Sequence, residues 1–183
     1  MTFDDITEDG RLWAVRYDGE ADNVLYTLFD QWNDVVWLRS FFQANLTDLQ
    51  SYFKITDVNK AIYDTIEESE RMQCLIMDIS PEANLDSLFR PLENSRTVDL
   101  LLGKEKARLK EGIQKHSSWL RIYALKLLSG IYIITGGAIK LTATMQEREH
   151  TLAELQKMEK VRNFLLNEHI IDDESFIDYL KEL

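Results

Sequence analysis

Arg121, Lys140, Arg148 and His150 are the residues of this chain whose types and spacing could do chemistry. Arg121 and Lys140 interrupt two otherwise apolar runs, LRIYALKL and IYIITGGAIKL. Arg148 and His150 follow in the polar stretch before a helix start. Arg, Lys and His converging with no acid of their own suit phosphodiester cleavage through a 2′-hydroxyl. One group removes the hydroxyl proton, one protonates the leaving oxygen, and cations stabilise the phosphorane-like charge. An Arg inside an apolar strand is costly to bury unpaired. It therefore points to water, to an acid such as Glu154, or to an anionic substrate. The blander reading of these residues is a solvated sheet edge, kept basic to discourage strand pairing.

Other chemistry finds little footing. His116, His150 and His169 form neither HExxH nor another metal spacing, so no metal and no cofactor are expected. GxSxG, P-loop and GxGxxG patterns are absent from the sequence. Gly136-Gly137 reads as a bulge or a close backbone approach rather than a phosphate cradle. Glu67-Glu68-Ser69-Glu70 reads as a solvated helix face. Trp32, Trp37, Phe41 and Phe42 sit at helical spacing and read as core. The lone Cys74 excludes an internal disulfide. Its apolar helical setting, MQCLIMDI, predicts a buried structural thiol.

Charge is segregated along the 183 residues. From Arg96 to Arg162 there are thirteen Lys/Arg against seven Asp/Glu, a local +6 within a chain of net −11. One surface is thus expected to meet an anionic partner. Lys104, Lys106, Arg108, Lys110, Lys115 and Lys126 are its candidate RNA contacts. The N-terminus, MTFDDITEDG, lacks the apolar core of a signal peptide. No window approaches the ~18 apolar residues of a membrane span. A soluble cytoplasmic protein is expected, with no membrane partner.

These residues must be positioned by a small number of elements. RLWAVRY (11–17) alternates as a strand and ends at Asp18-Gly19. From Asp22 to Phe53 the apolar period becomes helical, with a break expected near Asn33-Asp34 or Asn45. Thr56 or Asp57 can cap a further helix through Asp78, with Val58, Ile62, Ile66, Cys74 and Met77 near one face. Pro81 and Pro91 bracket a short predicted helix, Asn84 to Phe89. Lys104 to Lys115 reads as a charged connector broken by Gly112. Trp119–Leu127 and Ile131–Leu141 read as a hairpin turning at Ser129-Gly130. In that register Arg121 falls opposite Ile139 or near Lys140, and alternation puts Arg121, Tyr123 and Leu125 on one face. Thr151-Leu-Ala-Glu154 reads as a capping box opening a helix to about Asn167. A last helix covers Asp173 to Leu183. The expected architecture is α+β in a single domain, 1–183. It has a sheet core at about 11–17 and 118–144, a helical insertion at about 22–92, and C-terminal helices over 151–183.

The segment from Trp119 to Lys160, with RLWAVRY more weakly, resembles the RelE/ParE superfamily, in particular the phage-derived HigB-like toxins. The likeness lies in a strand with Arg after Leu, an apolar strand ending in Lys with Thr close behind, a short polar loop, and a helix opening with Thr and an acid. It spans less than a third of the chain. It implies a small twisted antiparallel sheet flanked by helices. It also implies metal-independent, ribosome-dependent mRNA cleavage, and a helix-turn-helix antitoxin as partner. Arg121 would bind or activate the scissile phosphate and Lys140 would lie beside it, with Arg148 and His150 at the loop position. The alternative is a non-catalytic interaction protein on the same scaffold, binding a partner through its helical half. A third reading is an antitoxin-like or phage-defence accessory factor.

Overall fold

A computed structural model of the chain describes residues 1–92, 102–109, 116–128 and 130–182. Six strands form one sheet: β1 (Thr2–Asp5), β2 (Leu12–Arg16), β3 (Phe89–Pro91), β4 (Gly103–Ala107), β5 (Leu120–Lys126) and β6 (Tyr132–Ile139). Their order is β1-β2-β6-β5-β4-β3. The sheet is mixed rather than antiparallel throughout, because β2 and β6 run parallel. Among the described residues between them lie four α-helices, a 3-10 turn and three strands, which belong to the crossover that a parallel pair requires.

The helical block follows its capping chemistry. Asn23 Oδ1 accepts from the Leu25 and Tyr26 amides and starts α1 (Val24–Asn33). Asp34 Oδ1 accepts from Val36 and Trp37 and starts α2 (Val35–Ala44). Asn45 then separates α2 from α3 (Leu46–Phe53), so the helical run breaks at both places and not at one of the two as expected. Asp57 caps α4 (Val58–Met77). These helices cover one sheet face, where Trp32, Leu38, Phe42 and Leu49 pack with Leu12, Ala14, Ile122, Ala124 and Ile134. On the other face α5 (Glu149–Asn167) and α6 (Asp173–Lys181) enclose Phe3, Val15, Tyr123, Leu125 and Ile133. β6, central in the sheet, is buried along its whole length, as its nearly continuous apolar run requires.

Five local expectations are corrected. The buried face of α4 carries Ala61, Ile62, Thr65, Glu68, Ser69, Met72 and Ile76. Cys74 lies two residues from both Met72 and Ile76, hence on the far side of the helix, and is exposed. Glu68 is buried rather than solvated, and its Oε2 accepts from the Leu120 amide at 3.4 Å. The short helix between the prolines is a single 3-10 turn, Leu85–Ser87. Beyond it Phe89–Pro91 is an edge strand, a position that tolerates proline. The first residues of the charged connector form β4, while Lys110, Gly112 and Lys115 lie outside the described residues. Helix α5 starts before Thr151, with Arg148 at its cap position. Thr151 Oγ1 instead donates to the Met145 carbonyl at 2.6 Å and to that of Arg148 at 3.0 Å, so no capping box with Glu154 forms. The reciprocal box is at α6, between Asp172 and Ser175.

Candidate nucleic-acid interface

The β5–β6 hairpin sets the first pair of cations. Its register pairs Leu120 with Ile139, Arg121 with Ala138 and Tyr123 with Gly136, then slips by one at Thr135. That bulge keeps Ile133 and Ile134 on their proper faces after the Gly-Gly pair. The extra residue is anchored by Tyr17, whose hydroxyl donates to the Thr135 carbonyl at 2.6 Å. Arg121 thus lies opposite Ala138, and Lys140 follows two residues later on the same face. The Lys140 amide extends the ladder to the Trp119 carbonyl at 2.8 Å.

β4 and β3 add the rest. Lys104 pairs with Leu125 and Lys106 with Tyr123, so both face the way Arg121 faces. Arg90 pairs with Lys106 and shares that face. Arg108 continues β4 by one residue past Ala107. The face therefore collects Arg90, Lys104, Lys106, Arg108, Arg121 and Lys140. Helix α5 packs over β6 and β5. Between it and these strands a cleft of about 860 Å³ remains, lined by all six cations. Arg90, Lys106 and Arg108 also line an adjoining recess of about 360 Å³ that reaches Ser117 and Ser118. Two recesses sharing three cations form a track suited to a chain of phosphates rather than to one.

These charges are aimed, and two of them are held by neutral acceptors alone. Arg121 Nη1 donates to the carbonyls of Ser118 and Leu120, both at 2.7 Å. Lys140 Nζ donates to the carbonyls of Thr142 and Ala143, both at 2.6 Å. Neither forms an ion pair among the described residues. Lys106 Nζ donates to the Leu92 carbonyl at 2.8 Å. At Arg121 and Lys140 the carbonyls orient a cation without neutralising it, which keeps the field at this end of the cleft positive. Burial holds Lys106 and Lys140 below the ordinary lysine range, and Arg121 deepens the depression in both. Burial lowers Arg121 too. An incoming anion would relieve these repulsions. Glu159, the one acid lining the cleft among the described residues, is engaged by Lys104 at 2.5 Å and by Arg162 at 3.4 Å.

The floor of the cleft carries Tyr123, 1% exposed, whose hydroxyl has no partner among the described residues. Burial pushes this phenol far above the ordinary tyrosine range. Glu154 lies behind it, 6% exposed, with Oε1 accepting from Lys157 at 2.7 Å and Oε2 without a hydrogen-bond partner among the described residues. Burial raises its carboxyl above the usual range. Glu154 pairs with Lys157 and leaves Arg121 to the cleft.

Of the residues expected to act together, the structure gathers Arg121 and Lys140, with Lys104, Lys106 and Arg108. Arg148 turns to the helical layer, where Nε and Nη2 grip the two oxygens of Asp48 at 2.6 Å each. His150 Nε2 lies 3.0 Å from the Ile139 carbonyl, and its ring meets Phe41 edge-on. Neither lines the cleft. Lys126 is on the opposite sheet face, bound to Asp86 at 2.6 Å and lying over the Tyr132 ring. Lys110 and Lys115 lie outside the described residues. Sequence reasoning passed over Arg90, which stands in a three-residue strand without a strand signature. The i, i+2 spacing of Lys104, Lys106 and Arg108 was the legible sign that one strand face would be basic. No protein-family model, curated protein or solved structure matches the chain, so the RelE/ParE resemblance rests on the residues quoted for it.

Proposed function

We propose that the cleft binds single-stranded RNA and that the protein acts as a HigB/RelE-like toxin, cleaving translated mRNA. The observation that carries this reading is the pair Arg121 and Lys140, set in one basic cleft by carbonyls and not by carboxylates. In the reaction a 2′-hydroxyl loses its proton and attacks the adjacent phosphorus, the 5′-oxygen leaves and takes up a proton, and a 2′,3′-cyclic phosphate remains. Lys106 and Lys140, with ammonium groups less firmly protonated than usual, are suited to move those protons. Arg121, fixed before substrate arrives, is suited to stabilise the charge on the phosphorane oxygens. The partners in this reading are the translating ribosome and a helix-turn-helix antitoxin. Induced expression is expected to arrest growth and fragment translated mRNA. Arg121→Ala is expected to abolish both while the circular dichroism spectrum is retained, the loss of its two carbonyl contacts lowering the melting temperature without unfolding the chain. Harmless expression with intact mRNA overturns the proposal.

A further inference from the structure

One ion pair joins the two walls of the cleft. Glu159 stands on α5 and Lys104 on β4, both line the cleft, and Glu159 Oε2 lies 2.5 Å from Lys104 Nζ. The other carboxylate oxygen, Oε1, accepts from Arg162 at 3.4 Å. The Lys104 ammonium holds this carboxyl below the usual glutamate range, so it stays ionised at neutral pH. A carboxylate on Lys104 occupies the place that a phosphate would take. The opposite end of the cleft is built differently. Arg121 and Lys140 are held there by carbonyls and by no ion pair among the described residues. Lys104 pairs with Leu125, four residues along β5 from Arg121, so the two ends lie about 13 Å apart at the rise of a strand. A single phosphate at Arg121 does not reach Lys104. A longer chain anchored at Arg121 holds its further phosphates beside Lys104 at high effective concentration, where they compete with Glu159. Both members of the pair are part-exposed, so the exchange costs little, and Arg162 remains as a partner for the displaced carboxylate.

We infer that Glu159 is a specificity-determining residue of the cleft: it straps α5 to β4 through Lys104, closes that end to short anions, and yields only to a chain long enough to be anchored at Arg121. The inference rests on the nucleic-acid reading of the cleft but not on cleavage. Calorimetric titration of the full chain with pyrophosphate and with 2′-O-methyl decauridylate, which has no 2′-hydroxyl to react, tests it at one low ionic strength. Glu159→Gln is expected to bind the decauridylate about two- to fivefold more tightly than the parent, the worth of a part-exposed ion pair. In a Lys104→Gln background the same change should leave the decauridylate affinity as it was. Pyrophosphate, too short to span from Arg121 to Lys104, should bind the parent and Glu159→Gln alike. An unchanged or weaker decauridylate affinity in Glu159→Gln overturns the inference. So does an equal gain for pyrophosphate, or an equal gain in the Lys104→Gln background, because either means that Glu159 acts only through the general field of the cleft. A parent that binds no decauridylate overturns the inference together with the nucleic-acid reading. A parent that binds it as tightly as Glu159→Gln sinks the strap alone.

Discussion

Gly136 and Gly137 decide how closely two helices approach the central strand from opposite sides. A Cβ at Gly137 would come within 2.6 Å of the Arg121 carbonyl oxygen and 2.8 Å of Leu28 Cδ1. The first obstacle is backbone and cannot turn aside. A Cβ at Gly136 would come within 1.9 Å of Glu154 Oε2, the far end of a side chain that can rotate. Gly137→Ala is therefore expected to cost about 1–3 kcal/mol, and Gly136→Ala less. Urea titrations of both variants check the order; an equal cost would contradict it. The pair reads as a bulge or a close approach from sequence, and both are present: the ladder slips at Thr135, next to the glycines. Which helix each glycine meets was not legible, because that depends on how α1 and α5 dock.

At the scale of elements, α5 carries a carboxylate into the α5-side core, where Glu154 Oε2 has no partner among the described residues. Burial raises the folded-state value for Glu154, and for Glu68 on α4. A raised carboxyl binds its proton more tightly in the folded chain than in the unfolded one. The stability this contributes is complete below the unfolded glutamate value and is lost as pH rises through the raised folded value. Glu154→Gln removes one such group. It is expected to be more stable than the parent at pH 7, with a smaller decline in melting temperature between mildly acid and neutral pH. Thermal denaturation across that range measures it, and parallel curves for parent and variant would refute it. The Thr151–Glu154 spacing looked like a helix start because the residue types of a cap and of a buried turn coincide. Only the packing of α5 against β6 distinguishes them.

The whole molecule separates its charge. A chain of net −11 presents six cations along one cleft on the α5 side of its sheet. Binding of single-stranded RNA should weaken steeply with salt as phosphate contacts release counterions. Arg108 lines both recesses, so Arg108→Gln is expected to reduce the logarithmic salt slope by about 0.7 for a lost phosphate contact. Lys126→Gln, on the opposite face and bound to Asp86, should leave the slope unchanged. Fluorescence anisotropy over a range of salt concentrations decides between them, and equal slopes for parent and Arg108→Gln would remove Arg108 from the interface.

What the chain's order of residues determined alone is whatever depends on near neighbours. The helix starts at Asn23, Asp34 and Asp57, the β5–β6 hairpin, and the common face of Arg121, Tyr123 and Leu125 follow from caps, turns and a period of two. Tertiary structure decided what depends on distant partners. It paired Phe89–Pro91 with β4, set β2 parallel to β6, and turned Arg148 from the cleft to Asp48, 100 residues away. It also left the faces of β3 and β4 open beside α5, so that cations scattered from Arg90 to Lys140 line one space. Periodicity states which side of an element a residue occupies, but only packing states what that side meets.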